Sequence, residues 1–306
     1  MTEYGAAIEF KIEAGEYTAV ITARGAAVRE LQHRGRDLVV PFPAGGPNPD
    51  FRGVIVAPWP NRIPDGRYTF DSVDYGVPVN EPGRQCALHG FTPELDWQLD
   101  SRTESAVVLS CAIAPTPGYP FALALTAAYS LDGDGLHSGV TARNTGERTA
   151  PYGVCPHPYL LAGPAPLDRW SLEVPARTFL EVTPDRLLPV ANRPVDGHEY
   201  DFRAARVIGA TEIDHAFTDI AFDGDGDGRA RVVARDPGGT GVGMAWDRSL
   251  PWLQLHTGDK EPPLPNRLGL AVEPMSCPPD AFNTGTDLVR LDPGAVHEAG
   301  WCIFAA

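Results

Sequence analysis

No apolar run in the 306-residue chain approaches the length of a membrane-crossing helix, and Met1-Thr2-Glu3-Tyr4 lacks the basic and apolar regions of a signal peptide. These absences lead to the expectation of a soluble, cytoplasmic protein. Positive charge is also short. The formal net charge is -15 and the pI about 4.9, which argues against nucleic acid or an anionic membrane as a partner, because both reward clustered Lys and Arg. A neutral or cationic small molecule is the expected partner. Paired cysteines are missing: Cys86, Cys111, Cys155, Cys277 and Cys302 are odd in number and show no C-x-x-C spacing, so neither a disulfide framework nor a zinc knuckle is indicated. No segment offers three clean turns of amphipathic helix, and no break in composition marks a linker. Residues 1–306 therefore read as a single domain.

What the chain has in abundance is punctuation. Glycine and proline number 32 and 31, well above average usage, so turns should be many and helices few and short. Between them lie short apolar or alternating runs. Tyr17 to Ile21 and Ala26 to Leu31 flank Arg24-Gly25 as an opening hairpin, and Arg67 to Phe70 and Val73 to Val77 flank Asp71-Ser72 as a second. The runs Ala106 to Ile113, Phe121 to Ser130 and Gly135 to Asn144 suit a broad antiparallel sheet. Further strands are expected at Trp170 to Val174, Ala230 to Asp236, Val242 to Trp246, Trp252 to Thr257 and Val296 to Phe304. The fold class expected is all-β.

Near the end of the chain, Leu268, Leu270 and Val272 alternate with small residues, as in a strand with one buried face, and the period puts Glu273 on the other face. Pro274 should turn the chain out of the sheet, and Pro278-Pro279 should stiffen the loop beyond it. An isolated glutamate in such a place is ordinarily a solvated strand end. Four other polar groups share the setting of a strand end or a stiffened loop, where scaffolds present functional groups. They are Arg62 in Trp59-Pro60-Asn61-Arg62-Ile63-Pro64, His89 in Leu88-His89-Gly90-Phe91, His157 between Pro156 and Pro158, and Asp214 in Glu212-Ile213-Asp214-His215. Each has an ordinary alternative: Arg62 as a surface arginine paired with Asp65, His89 or His157 as a structural histidine, Asp214 as a turn cap.

Taken together, in this order, the five resemble the aldose 1-epimerase (galactose mutarotase-like) family. Asn61-Arg62-Ile63 is similar to its N-R-I motif, Leu88-His89-Gly90 to its histidine-glycine motif, and His157-Pro158-Tyr159 to its H-P-Y. Ile213-Asp214-His215 is similar to its D-H/N segment, and Glu273-Pro274 with Pro279-Asp280-Ala281 and Asn283 to its glutamate motif. The resemblance runs from about the first hairpin to the last strand. It implies a large antiparallel β-sandwich with an open cleft and no cofactor. It also implies a small-molecule sugar as substrate, an aldohexose interconverted between its α and β anomers. By the same resemblance His157 is the general acid to the ring oxygen and Glu273 the general base to the anomeric hydroxyl, while Arg62, His89 and Asp214 bind sugar hydroxyls. On this reading His157 and Glu273 should face one another across a gap about one sugar ring wide. Phe91 stands where the best-known galactose enzymes of the family have a second glycine, and Pro58-Trp59-Pro60 precedes the arginine, which points to a bacterial branch of open sugar preference.

Other readings compete. A cupin-like metal site would gather His89, His157, His256 and Glu273, but no pair has the H-x-H spacing that one strand supplies. A sugar-binding sensor would keep the cleft and not need a matched acid and base. A phosphosugar 1-epimerase would need cations in the cleft, for which Arg84 and Lys260 are the candidates. His256 and Trp59 are candidate cleft walls. Asp223-Gly224-Asp225-Gly226-Asp227-Gly228 imitates a calcium loop, yet Ala234 stands where the closing glutamate belongs. The chain is expected to act as a monomer or a homodimer.

Overall fold

The computed structural model describes residues 8–224 and 226–306. Met1 to Tyr4, and Asp225 within the Asp-Gly run, lie outside the described residues. Nine antiparallel strands make the larger sheet, in the spatial order Gln98–Arg102, Ala106–Ile113, Leu123–Leu131, Leu136–Asn144, Val296–Ala305, Gly241–Trp246, Ala230–Arg235, Ser171–Glu173 and Arg206–Val207. Six more form a second antiparallel sheet in the order Tyr159–Leu160, Leu270–Met275, Trp252–His256, Asp214–Ile220, Ala176–Val182 and Pro189–Pro194. Four N-terminal strands, Glu9–Ala14, Tyr17–Thr22, Val28–His33 and Arg36–Asp37, form a third. Leu125, Val140 and Trp246 of the larger sheet join Phe217, Leu253, Leu255 and Val272 of the second in one apolar cluster. The chain is thus an all-β sandwich, with one single-turn α-helix, Ala281–Thr284, and three short 3-10 turns among the described residues.

Residue alternation explains the layers. In Leu123–Leu131 every second residue is buried, so one face packs and the other meets solvent. The expected hairpin at Asp71-Ser72 is present, and both turn residues take positive φ, 50° and 64°, as the tight connection of two twisted strands requires. The strand carrying Glu273 departs from expectation. Leu270–Met275 is buried along its whole length rather than on one face, because the side away from the main core meets two smaller apolar clusters, Met275 with Val54, Val56 and Cys155 and Ala271 with Val40 and Tyr159, and Leu268 lies outside it. Nor does the chain leave the sheet at Pro274, which pairs opposite Leu253. The neighbour on the other edge, Tyr159–Leu160, pairs only with Leu270 and Ala271, so no partner there needs the amide hydrogen that proline lacks.

Register then decides what faces where. Asp214 pairs with His256 and Ala216 with Gln254, and Gln254 pairs with Glu273. Side chains two apart on a strand share a face, so Asp214, Gln254, His256 and Glu273 all stand on one face of the six-stranded sheet. Leu253, Leu255 and Val272 point the other way into the core. Replacing fully buried Leu255 by alanine should therefore cost about 2–5 kcal/mol. Urea unfolding should show a lower midpoint with an unchanged slope.

Candidate active site

The structure brings the five predicted polar groups into one region. Arg62 and His89 arrive on two adjoining short strands, Arg62–Pro64 and Cys86–Leu88, in which Arg62 pairs with Leu88. The connection is locked by reciprocal bonds, His89 N donating to Asn61 O at 3.0 Å and Asn61 N to His89 Nδ1 at 3.3 Å. With Nδ1 used as an acceptor, the proton of the neutral ring sits on Nε2, which is left as a donor. Burial, then the neighbouring His157 and Arg62, push the His89 pKa well below its ordinary value, so the ring is neutral. Asn61 and His89 both adopt left-handed backbone, φ 56° and 63°, a conformation that Asn and His tolerate better than most. Gly90 has no alternative: at φ 63°, a Cβ there would lie 2.1 Å from the Ala57 carbonyl oxygen. Phe91 after it packs edge-on against Trp59 at 4.9 Å. Trp59 is buried, also touches Phe282, and donates its Nε1 hydrogen to the Ala87 carbonyl at 3.3 Å, so it belongs to the wall behind the site.

Arg62 is not paired with Asp65, the ordinary alternative. Its Nε and Nη2 donate to the two carboxylate oxygens of Glu81 at 2.8 and 3.0 Å, while Asp65 accepts from Arg186. Burial works against the Arg62 charge, but Glu81 and Asp214 outweigh it and raise its pKa. Glu81 belongs to no motif, and a carboxylate 19 positions along the chain carries no signal until the strands are paired.

His157 is held through its backbone, its N–H donating to Val54 O and its carbonyl accepting from Gly53 N. Its Nε2 lies 3.4 Å from Glu273 Oε1, with both side chains almost completely buried. His157 Nδ1 has no hydrogen-bonding partner among the described residues. The His89 ring stands edge-on 4.9 Å away, and Phe51 lies against both histidines, at 4.9 and 6.1 Å. Burial, first among several causes, lowers the His157 pKa to about 4. Burial, then the charge of Asp214, push Glu273 well above the usual carboxylate range, against a smaller opposing effect of Arg62. Burial thus favours one proton on the pair, resting on Glu273.

The two groups stand closer than the gap of one sugar ring expected from the sequence. The separation is set by backbone pairing, His157 bonding to Val54 and Gly53 and Glu273 pairing with Gln254, which turns the two side chains toward one another.

Asp214 is fixed by Gln254, whose Nε2 donates to Oδ1 at 2.7 Å. His256 Nδ1 lies 3.8 Å from Asp214 Oδ2 and 3.3 Å from the Ile213 carbonyl. With Asp214, His256 lines a cavity of about 540 Å³, and its ring stands edge-on to Tyr159 at 6.3 Å. Gln254 was missed by sequence reasoning. It is 3% exposed and its Oε1 has no partner among the described residues, so it is a buried acceptor available to a donor from outside the chain. Among the described residues no group of three or more His, Cys, Asp or Glu side chains is arranged to hold a metal ion. Asp223 instead accepts from Gly226 N in a turn, and Ala234 is buried in a strand.

A family model described as aldose 1-epimerase matches residues 9–301. The chain belongs to the aldose 1-epimerase family. Among its relatives, the Escherichia coli protein described as uncharacterized protein YihR is 35% identical over 96% of this chain and 92% of its own length. The galactose mutarotase of Rattus norvegicus is 29% identical over 67% of this chain, a match that spans 63% of the rat protein. In fold, the chain resembles a GalM/aldose epimerase homologue from C. elegans with a TM-score of 0.85 at 20% identity, covering 98% and 99% of the two chains. Galactose 1-epimerase from Lactobacillus acidophilus gives 0.82 at 18%, covering 100% and 96%.

In this aldose 1-epimerase family member the Arg62–Glu81 pair should be measurable. Glu81→Gln leaves a mostly buried guanidinium without the carboxylate charge it pairs with. The expected loss is roughly 1–3 kcal/mol, below that of a fully buried pair because Glu81 is partly solvated. It would be read as a lowered thermal midpoint.

Proposed function

We propose that the protein is a cofactor-independent aldose 1-epimerase that interconverts the α and β anomers of a hexose. The observation that carries this reading is the buried pair of His157 Nε2 and Glu273 Oε1 at 3.4 Å, set among groups suited to sugar hydroxyls. In the productive complex the C1 hydroxyl donates to the Glu273 carboxylate and the ring oxygen accepts from His157 Nε2. That arrangement draws the shared proton from Glu273 onto His157, because the sugar now supplies the hydrogen bonds that burial denied to both charges.

The step balances. Glu273 takes the C1 hydroxyl proton, C1 becomes a carbonyl carbon, the bond from C1 to the ring oxygen breaks, and that oxygen takes the proton of His157. Rotation about C1–C2 presents the other face of the aldehyde. The same two groups then run in reverse and close the opposite anomer. Each positioned proton transfer contributes about 10²–10⁴ in rate. Arg62 and the Nε2–H of His89 donate to sugar oxygens, whereas Asp214 and the unpartnered Oε1 of Gln254 accept from hydroxyls.

A matched acid and base favours an enzyme over a sensor, which needs binding alone. The phosphosugar alternative required free cations in the cleft. Lys260 is paired with Asp50, and Arg84 is held on the Glu81 carboxylate that also holds Arg62, so neither is a free cation and a neutral aldose is favoured. We also take residues 1–306 as one functional unit acting inside the cell.

The test is proton NMR or polarimetry of freshly dissolved α-glucose and α-galactose. Wild-type protein should hasten equilibration, and Glu273→Gln and His157→Asn should each lower kcat by about 10²–10⁴. Equilibration at the rate of buffer alone would overturn the reading. The pH profile gives a second check. The pair works with one proton, so activity falls on the acid side when His157 gains a proton while Glu273 keeps its own. Because the His157 pKa is lowered to about 4, the acid limb of kcat/KM should lie near pH 4, well below an ordinary imidazole. On the alkaline side, activity should persist past the normal carboxylate range until the pair loses its remaining proton.

A further inference from the structure

We propose that Glu81 is a positioning residue for sugar binding: its carboxylate aims the Arg62 guanidinium into the site, and the hairpin that carries it is fixed from outside by Arg186. The inference rests on the proposed epimerase function, in which Arg62 donates to sugar oxygens, and adds the residues that stand behind that contact.

A guanidinium carries its N–H donors in one rigid plane, so holding one edge sets the direction of the rest. Glu81 holds the edge formed by Nε and Nη2 of Arg62, at 2.8 and 3.0 Å, and Asn61 Oδ1 accepts from Nη1 at 3.3 Å. The N–H bonds left over on Nη1 and Nη2 have no acceptor among the described residues. Arg62 pairs with Leu88, the neighbour of His89, and the His89 ring stands 4.9 Å from that of His157. The Arg62 charge is felt at both His89 and Glu273. The guanidinium therefore lies beside the reacting pair, turned by the edge that Glu81 occupies.

Glu81 can serve as such a stop only if it does not swing. Its backbone exchanges bonds with Cys86, Glu81 N donating to Cys86 O at 3.1 Å and Cys86 N to Glu81 O at 3.2 Å. Next to it Asn80 exchanges bonds with Leu88, donating from Nδ2 to the carbonyl at 2.9 Å and accepting at Oδ1 from the amide at 2.6 Å. One hairpin thus delivers both Glu81 and His89. Its tip is tied down by a side chain from another part of the fold. Arg186 lies in the turn between strands Ala176–Val182 and Pro189–Pro194. Its Nε donates to Arg84 O at 2.8 Å, and its Nη2 to Gln85 O at 2.9 Å and Asp65 Oδ1 at 2.8 Å. Asp65 directly follows the strand Arg62–Pro64, and its own N–H donates to Gln85 O at 2.8 Å. Arg186 therefore clamps the Glu81 hairpin onto the end of the strand that carries Arg62. Arg84 adds a further bond to Glu81 Oε1 at 3.0 Å, which leaves the carboxylate less freedom to turn.

A role through Arg62 is separated from mere support of the fold by binding and by coupling. The cyclic polyols 1,5-anhydroglucitol and 1,5-anhydrogalactitol lack the C1 hydroxyl, so they bind without opening. Their affinity is measured by calorimetric titration of the full chain, and KM and kcat by anomer exchange of glucose and galactose, at a temperature where every variant is folded. Glu81→Gln should weaken polyol binding and raise KM by about tenfold with kcat within about threefold, because a hydroxyl contact is made in ground and transition states alike. On top of Arg62→Ala the same change should add less than about twofold, since the carboxylate then has nothing to aim. Arg186→Ala, at a surface position, should weaken binding by about three- to fivefold and have no further effect once Glu81→Gln is present. Affinity and KM unchanged in Glu81→Gln, or a loss undiminished without Arg62, overturns the proposal. Should Glu81→Gln not fold, Arg186→Ala decides, and unchanged binding there overturns it. Glu81-dependent binding by a protein that does not hasten anomer exchange refutes the proposed catalysis and leaves this inference standing. Hastened exchange with a KM indifferent to Glu81 does the reverse.

Discussion

A carboxyl and an imidazole, both out of water and 3.4 Å apart, form the arrangement on which the site depends. In water each would titrate independently and hold its charge through hydration. Here desolvation penalises either charge, so the two groups settle on one proton between them. A ligand that can offer a donor to one and an acceptor to the other changes where that proton rests. The remainder of the site keeps this balance. Arg62 is held in place by Glu81, His89 is kept neutral, and Asp214 is held by Gln254. Were any of these free and charged differently, the shared proton would be biased before a sugar arrived.

The sandwich supplies the dryness. Three neighbouring strands of the six-stranded sheet carry Glu273, Gln254 with His256, and Asp214 on one face and apolar residues on the other. The opposite wall is made of loops, and these hold the strained backbone: Asp50, Phe51, Asn61 and His89 all take positive φ. Such conformations cost about 1–3 kcal/mol each and persist where surrounding structure over-determines them. At Asn61 and His89 the determinants are visible as reciprocal backbone and ring bonds. The same loops bring Phe51 onto both histidines and so exclude solvent from them.

Much of this was legible in the chain because its signals are local. A histidine between two prolines, an arginine after a buried strand and a glutamate beside a proline each announce themselves within a few residues. The hairpins with Gly or Asp-Ser turns and the long alternating strands were equally plain. What escaped depends on distant pairing. Glu9–Ala14 reads as a charged segment until Tyr17–Thr22 pairs with it. Pro189–Pro194 is the edge strand of its sheet and Ala176–Val182 lies next to it, where exposure blurs alternation. Glu81, Phe51 and Gln254 are ordinary residues in sequence, and become part of the site only through register and loop packing. The close approach of His157 and Glu273 was missed for the same reason: it follows from the pairing of His157 with Gly53 and Val54 and of Glu273 with Gln254, which no local run of sequence shows.

The division of labour along the central strands restricts how such a protein can vary. Leu253 and Leu255 hold the sandwich while Gln254 and His256, between and beyond them, serve the cleft. Inserting or deleting a single residue in that strand would turn an amide and an imidazole into the apolar layer and push two leucines out toward the ligand. Length changes there are closed to drift, whereas the turns joining the strands remain open to it. Diversification of ligand preference in this architecture would therefore be expected to proceed through the connecting segments, with the strands left at constant length.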